Sequence, residues 1–215
     1  MLAIAPRCSS RTAASLLILA LLSLLPLPLQ AASRPVHVLA TTYPVWQLAR
    51  PLVAGLENVR LDLLIPAATG CPHDYAPTPA DLTKVATADV ILMNGLGLED
   101  FMEDALRTAK AVVTASDGVQ TLPGEDGEDP HIWLDPANCI RMCRNIADGL
   151  SAIYPDKQET IAQNLQAVTA AYEAAQAYGE EALREVRCRK LVTFHDGFSY
   201  FARAFDLKIA AAMEI

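Results

Sequence analysis

The sequence has no run of basic residues. Lys and Arg number 17 against 25 Asp and Glu, a net charge of −8. Two of the cations, Arg7 and Arg11, lie in the first 31 residues, which hold no acid. Without them 15 basic residues (17 less 2) face 25 acidic ones, a net charge of −10. A chain this acidic, with no basic patch, is a poor binder of nucleic acid or of an anionic membrane surface. It is compatible with a cationic ligand. The five cysteines have neither the number nor the spacing of a structural zinc knuckle. No His-Glu-x-x-His stretch is present, which removes the commonest helix-borne zinc hydrolase signature. Full disorder is excluded, since hydrophobic residues make up 52% and charged ones 20%. The 215 residues suffice for one good core or two small lobes.

The first 31 residues are organised as an export signal. Arg7 and Arg11 form a basic start, Ala13–Leu25 is Leu-rich and uncharged, and Pro26 and Pro28 end any helix. Leu29-Gln30-Ala31 supplies a small-residue cleavage site near Ala31. The strongly apolar part is short for a membrane span. Cys8 precedes the apolar run, so it is not a lipid-bearing cysteine following it. The expectation is a mature chain free in the periplasm, with Cys71, Cys139, Cys143 and Cys188 as buried or free thiols. Cys139 and Cys143 share a helix face, and a rigid helix presents such a pair poorly for a disulfide.

Along the mature chain, strands and helices alternate. Short apolar strands are expected at Val36–Ala40, Val59–Ile65, Asp89–Met93 and Ala111–Thr114. Helices are expected after Pro44, over 79–87, over Glu99–Lys110, and from Asp135-Pro136 to about Tyr154. This alternation predicts an α/β fold, a parallel sheet with helices on both faces. A longer helix is expected from Asp156 to Arg187. Its apolar seam runs Ile161, Leu165, Val168, Tyr172, Ala175, Gly179, Ala182, Val186, in steps of four and three. Such a helix exceeds the needs of one small lobe and suits a rigid backbone across two. Lys190–Phe194 then returns as a strand, Phe198–Phe205 as a helix, and a last strand starts near Leu207. The expected organisation is residues 1–31 signal peptide, 32–155 N-terminal lobe, 156–187 linking helix and 188–215 the start of a second lobe.

Three of the four histidines lie on loops that follow expected strands. They stand in Pro72-His73-Asp74-Tyr75-Ala76-Pro77-Thr78-Pro79, Asp129-Pro130-His131-Ile132-Trp133-Leu134-Asp135-Pro136 and Thr193-Phe194-His195-Asp196-Gly197-Phe198. Parallel α/β folds bind ligands at such strand ends. A proline beside His73 and His131, and the strand end before His195, fix each imidazole in advance, as a metal site requires. The 58 and 64 residues between successive histidines (131 − 73 and 195 − 131) mean that only the fold can assemble them. His37 has no such setting and reads as an ordinary surface or capping residue. Asp74 and Asp196, each directly after a histidine, read as orienting or capping groups. Cys71 reads as a soft ligand or as an inert or oxidised thiol.

These three motifs resemble the metal-binding segments of the cluster A-I (cluster 9) solute-binding proteins, which serve ABC importers of zinc and manganese. The resemblance spans about residues 36–215. It implies two α/β lobes joined by one rigid helix, with the metal held in the cleft by His73, His131 and His195. Histidine at the third position is typical of the zinc members, and imidazole donors suit zinc. The resemblance therefore implies a monomeric periplasmic zinc-binding protein, not an enzyme, that hands Zn²⁺ to an ABC membrane permease. A manganese- or iron-binding member is the alternative, and a zinc hydrolase a more distant one. Two departures stand out. The loop that is His-rich in many zinc members is here Gly124-Glu125-Asp126-Gly127-Glu128-Asp129. Family members also continue for several more strands and helices, which supply a fourth, carboxylate ligand that Glu214 does not match.

On this reading the second lobe is incomplete in this chain. Leu191–Phe194, Phe198, Phe201, Phe205 and Ile209 are expected to lack partners, each buried side chain being worth about 1.5–3 kcal/mol. The 215-residue chain is therefore expected to bind zinc more weakly than a form extended by a full second lobe. Protease should trim it beyond about Arg187. Side-by-side competition titrations check this; equal affinity with residues 188–215 protected refutes it.

Overall fold

The computed structural model describes residues 34–69, 72, 75–124 and 127–213. The expected signal peptide lies outside the described residues, as do Cys8, Cys71, His73, Asp74 and Glu214. Among the described residues no helix is long and apolar enough to cross a membrane.

Four strands form one parallel sheet in the order β2-β1-β3-β4: β1 (Val36–Ala40), β2 (Val59–Leu63), β3 (Val90–Met93) and β4 (Val112–Thr114). Val38 stands opposite Leu61 on one side and Val90 on the other. Side chains alternate across the sheet, so each strand feeds two cores. Val38, Ala40, Val90 and Leu92 face helices α1 (Tyr43–Leu52), α4 (Pro136–Ile153) and α5 (Gln158–Leu183). Leu39 and Ile91 face α2 (Pro79–Thr87) and α3 (Glu103–Leu106). The expected α/β architecture, with helices on both faces, is the one observed.

The helix expected over Glu99–Lys110 shrinks to a 3-10 turn at Asp100–Met102 followed by the four residues of α3. The cause is Glu99. Its buried carboxylate turns back to accept from the Thr41 hydroxyl (2.7 Å) and the Asn94 and Gly95 amides (2.8 and 2.9 Å). That arrangement closes the turn after β3, where Gly95, Leu96 and Gly97 all have positive φ. A Cβ on Gly95 would lie 2.5 Å from the Ser116 hydroxyl, so only glycine fits there. His37 also differs from expectation. It is buried in β1, with Nε2 2.9 Å from an Asp62 carboxylate oxygen.

Helix α5 has 26 residues, about 39 Å at 1.5 Å per residue. It ends at Leu183 rather than Arg187, where the Arg189 guanidinium takes the carbonyls of Leu183 and Phe205 and so caps α5 and the following short helix together. Only the first half of the expected apolar seam is buried; Ala175, Ala182 and Val186 are exposed. Ile161, Leu165, Val168 and Tyr172 pack on the core of the four-stranded sheet. Further on, Leu183 joins a small cluster with Ala202, Phe205 and Leu207. That cluster belongs to a parallel pair, β5 (Lys190–Thr193) and β6 (Lys208–Ala212), linked by α6 (Ser199–Ala204).

Not all the aromatics of this segment are bare. Phe205 is buried, because Gly179 leaves room for its ring against α5. Val192, Phe194 and Phe198 are exposed, as expected. A side chain at 179 would collide with Phe205, its Cβ falling at a separation of 2.3 Å from the ring. Gly179→Leu should therefore destabilise the protein by about 1–3 kcal/mol through overpacking, measured by denaturant unfolding; a variant as stable as wild type would show that the ring can move aside.

Candidate metal centre

Two of the three expected ligands meet. His131 follows β4 and opens the 3-10 turn Ile132–Leu134; His195 follows β5. Their Nε2 atoms are 2.9 Å apart, with ring centroids 4.8 Å apart and planes at 76°. His131 is buried and His195 exposed. The backbone of Gly197 lies against the His131 ring, close enough that a Cβ there would be 2.9–3.0 Å from it. Trp133 borders the same ring, with centroids 5.2 Å apart. His73 lies outside the described residues.

The direction of His131 is set by Asp129. One oxygen of this buried carboxylate accepts from the His131 amide (2.9 Å) and lies 2.7 Å from Nδ1. A carboxylate only accepts, so Nδ1 carries the hydrogen and the Nε2 lone pair faces His195. This carboxylate–histidine pairing is the usual way to fix a metal-binding imidazole. The sequence reading gave orienting roles to Asp74 and Asp196. Asp196 is exposed, and Asp129 does the work. The available signal was the Asp-Pro-His order, which puts an acid two residues before the imidazole across a rigid link.

The loop behind His131 is held from the sheet. Asn94 Nδ2 donates to the Pro130 carbonyl at 3.1 Å, and the Asn94 amide is itself fixed by Glu99. Burial pushes the Glu99 carboxyl up from its ordinary value, opposed by its three donors. Neither residue stood out in the sequence.

The chain leaving His73 is pinned within a few residues. Tyr75 donates its hydroxyl to Asp81 (2.6 Å), and Thr78 does so at 2.7 Å within a capping box that opens α2. Lys84 Nζ lies 3.0 Å from the same carboxylate. Burial alone would raise the Asp81 pKa, but hydrogen bonds from Tyr75, Thr78 and Lys84 prevail and hold it well below the usual carboxylate range. Tyr75 is pushed up to about 12, chiefly by its bond to Asp81.

Two imidazole nitrogens at 2.9 Å share a hydrogen. Around a tetrahedral zinc at 2.0–2.1 Å they would stand about 3.4 Å apart, so a half-ångström separation of the rings would admit the ion. Among the described residues no three His, Cys, Asp or Glu side chains converge on one point. Burial pushes the thiols of Cys139 and Cys143 both up to about 12.

Residues 38–215 match the family of the zinc-uptake complex component A, periplasmic. The chain belongs to that family. It is 32% identical to the zinc-binding lipoprotein AdcA of Streptococcus pneumoniae over 199 residues, which cover 84% of this chain and 39% of AdcA. The crystal structure of the Zn(II)-bound ZnuA-like domain of that protein superposes with a TM-score of 0.77 at 29% identity, over 84% of this chain and 68% of the domain. The metal ABC transporter substrate-binding lipoprotein SloC of Streptococcus mutans is 33% identical, over 94% of this chain and 71% of SloC. The iron-binding protein YfeA of Yersinia pestis is 35% identical, over 78% of this chain and 56% of YfeA. The chain thus spans about two fifths of AdcA and just over half of YfeA.

Asp81 yields a pH-dependent expectation. The folded carboxyl titrates below the unfolded value of 3.8, so its stabilisation is present above that value and is lost as pH falls through the lower folded one. Asp81→Asn should lower stability at pH 7 by about 1–3 kcal/mol, and the deficit should narrow at pH 3. Thermal unfolding of both proteins at the two pH values checks this; a constant deficit would refute it.

Proposed function

We propose that this chain captures Zn²⁺ in the periplasm, as the metal-binding component of an ABC importer, and passes it to the membrane permease. The observation that carries this reading is the His131–His195 pair, in which the buried Asp129 carboxylate orients His131 and His195 stands just past β5. Family membership supports it, as does the likeness to the zinc-binding lipoprotein AdcA and to the metal ABC transporter substrate-binding lipoprotein SloC. In this reading His73 is the third donor, and water or another group completes the shell. Residues 32–155 carry two ligands, 156–187 link the lobes, and residues from 188 carry the third. The protein acts as a monomer, with its signal cleaved near Ala31, and performs no catalysis.

Imidazole donors favour zinc over manganese, which prefers oxygen. The likeness to YfeA supports iron as the competing cargo. Equilibrium competition of Zn²⁺, Mn²⁺ and Fe²⁺ for the apo protein separates these readings. Titration against a chromophoric chelator is expected to give one Zn²⁺ site per chain, tight in a form with a complete second lobe. It should weaken in His73→Ala, His131→Ala and His195→Ala, and by about 10–100-fold in Asp129→Asn. Wild-type affinity in all three histidine variants would refute the proposal.

A further inference from the structure

Tyr200 lies on α6 yet belongs to the core of the four-stranded sheet, where its side chain is wholly buried. Its hydroxyl donates to the Asp129 carbonyl at 2.7 Å and accepts from the Leu122 amide at 2.9 Å. Leu122 and Asp129 are the two ends of a small hairpin, joined to each other by the Asp129 amide donating to the Leu122 carbonyl. One phenol therefore closes the base of this hairpin from the side of the His195 segment.

We propose that Tyr200 is a positioning residue that sets the approach of His195 to His131. The contacts form a closed ring. His131 is held by the Asp129 carboxylate, the Asp129 carbonyl is held by Tyr200, five residues of chain lead from Tyr200 back to His195, and the two Nε2 atoms meet at 2.9 Å. Arg203 on α6 makes further polar ties near the site, to the Asp135 carboxylate (3.1 Å) and the Gln120 carbonyl (3.3 Å). Arg203 is partly exposed, so water can stand in for its bonds. Tyr200 is enclosed, and loss of its hydroxyl leaves a half-buried amide and a buried carbonyl without this partner. Burial raises the Tyr200 pKa, which keeps the phenol a donor across the neutral range.

Tyr200→Phe keeps the ring and removes only the hydroxyl, so a purely space-filling role predicts no change at the histidines. The first arm needs no metal. In the apo wild-type chain a nuclear Overhauser effect between the His131 and His195 imidazole protons is expected, with slow exchange of the Leu122 amide. Both should be lost or strongly reduced in Tyr200→Phe. The second arm rests on the zinc reading above. Zn²⁺ affinity should fall about tenfold, and the Co²⁺ ligand-field spectrum should change. Phe205→Leu, which loosens the same segment away from the hairpin, should leave both as in wild type. An undiminished imidazole contact in Tyr200→Phe overturns the proposal, as does equal loss of affinity in Phe205→Leu. Rapid exchange of the Leu122 amide in wild type overturns it even if the variant does not fold. Were the histidine variants to bind Zn²⁺ normally, the metal reading would fall while the first arm still decided the role of Tyr200.

Discussion

One carboxylate oxygen of Asp129 fixes the His131 ring and its amide together. With that oxygen in place the imidazole has one orientation, its Nε2 directed at His195. Much of the surrounding structure serves to hold Asp129 still. The amide of Asp129 is tied to Leu122 and its carbonyl to Tyr200. The neighbouring Pro130 carbonyl is tied to Asn94, and Asn94 to the buried Glu99. Buried polar networks of this kind are costly where a member is unpaired, and here the buried Asn94 Oδ1 has no hydrogen-bond partner among the described residues. The sheet supplies the other end of the chain of support, since Thr41, at the end of β1, donates to Glu99.

Helix α5 imposes the second constraint. It contributes to two apolar clusters, through Ile161 and Val168 near one end and Leu183 at the other. A segment carrying β5, α6 and β6 is thereby bound both to the helix and, through Tyr200, to the first core. Small hinge motions between the two sheets would have to break packing on both sides of a continuous helix. The exposed Val192, Phe194 and Phe198 lie on the part of this segment that neither contact reaches.

The strands and the helix seam were legible because both depend on periodicity. Val36–Ala40 and the 79–87 helix are read from apolar runs and proline placement, and the structure has them at those residues. The three histidine motifs were legible because proline and chemistry-bearing residues stand together in short stretches. What periodicity misses is a side chain that leaves its local pattern for a distant partner. Glu99 reads as the first turn of a helix, but its carboxylate is spent on a turn five residues back. Tyr200 reads as one aromatic among several, and its partners are 71 and 78 residues away. His37 reads as a surface residue because Asp62 is its neighbour only once β1 and β2 pair. Such contacts exist only after the chain is folded.

The contact between the two histidines has a consequence for how an ion enters. Asp129 accepts the Nδ1 hydrogen of His131, so in a neutral pair the hydrogen of the 2.9 Å contact belongs to Nε2 of His195. An ion taken by both nitrogens must displace that hydrogen. On the zinc reading proposed above, His195, the exposed ring, would be the one to give up its hydrogen to solvent, while His131 would keep the one that Asp129 holds. The two donors are unequal partners: one is a fixed anvil, the other a gate whose latch is a single hydrogen.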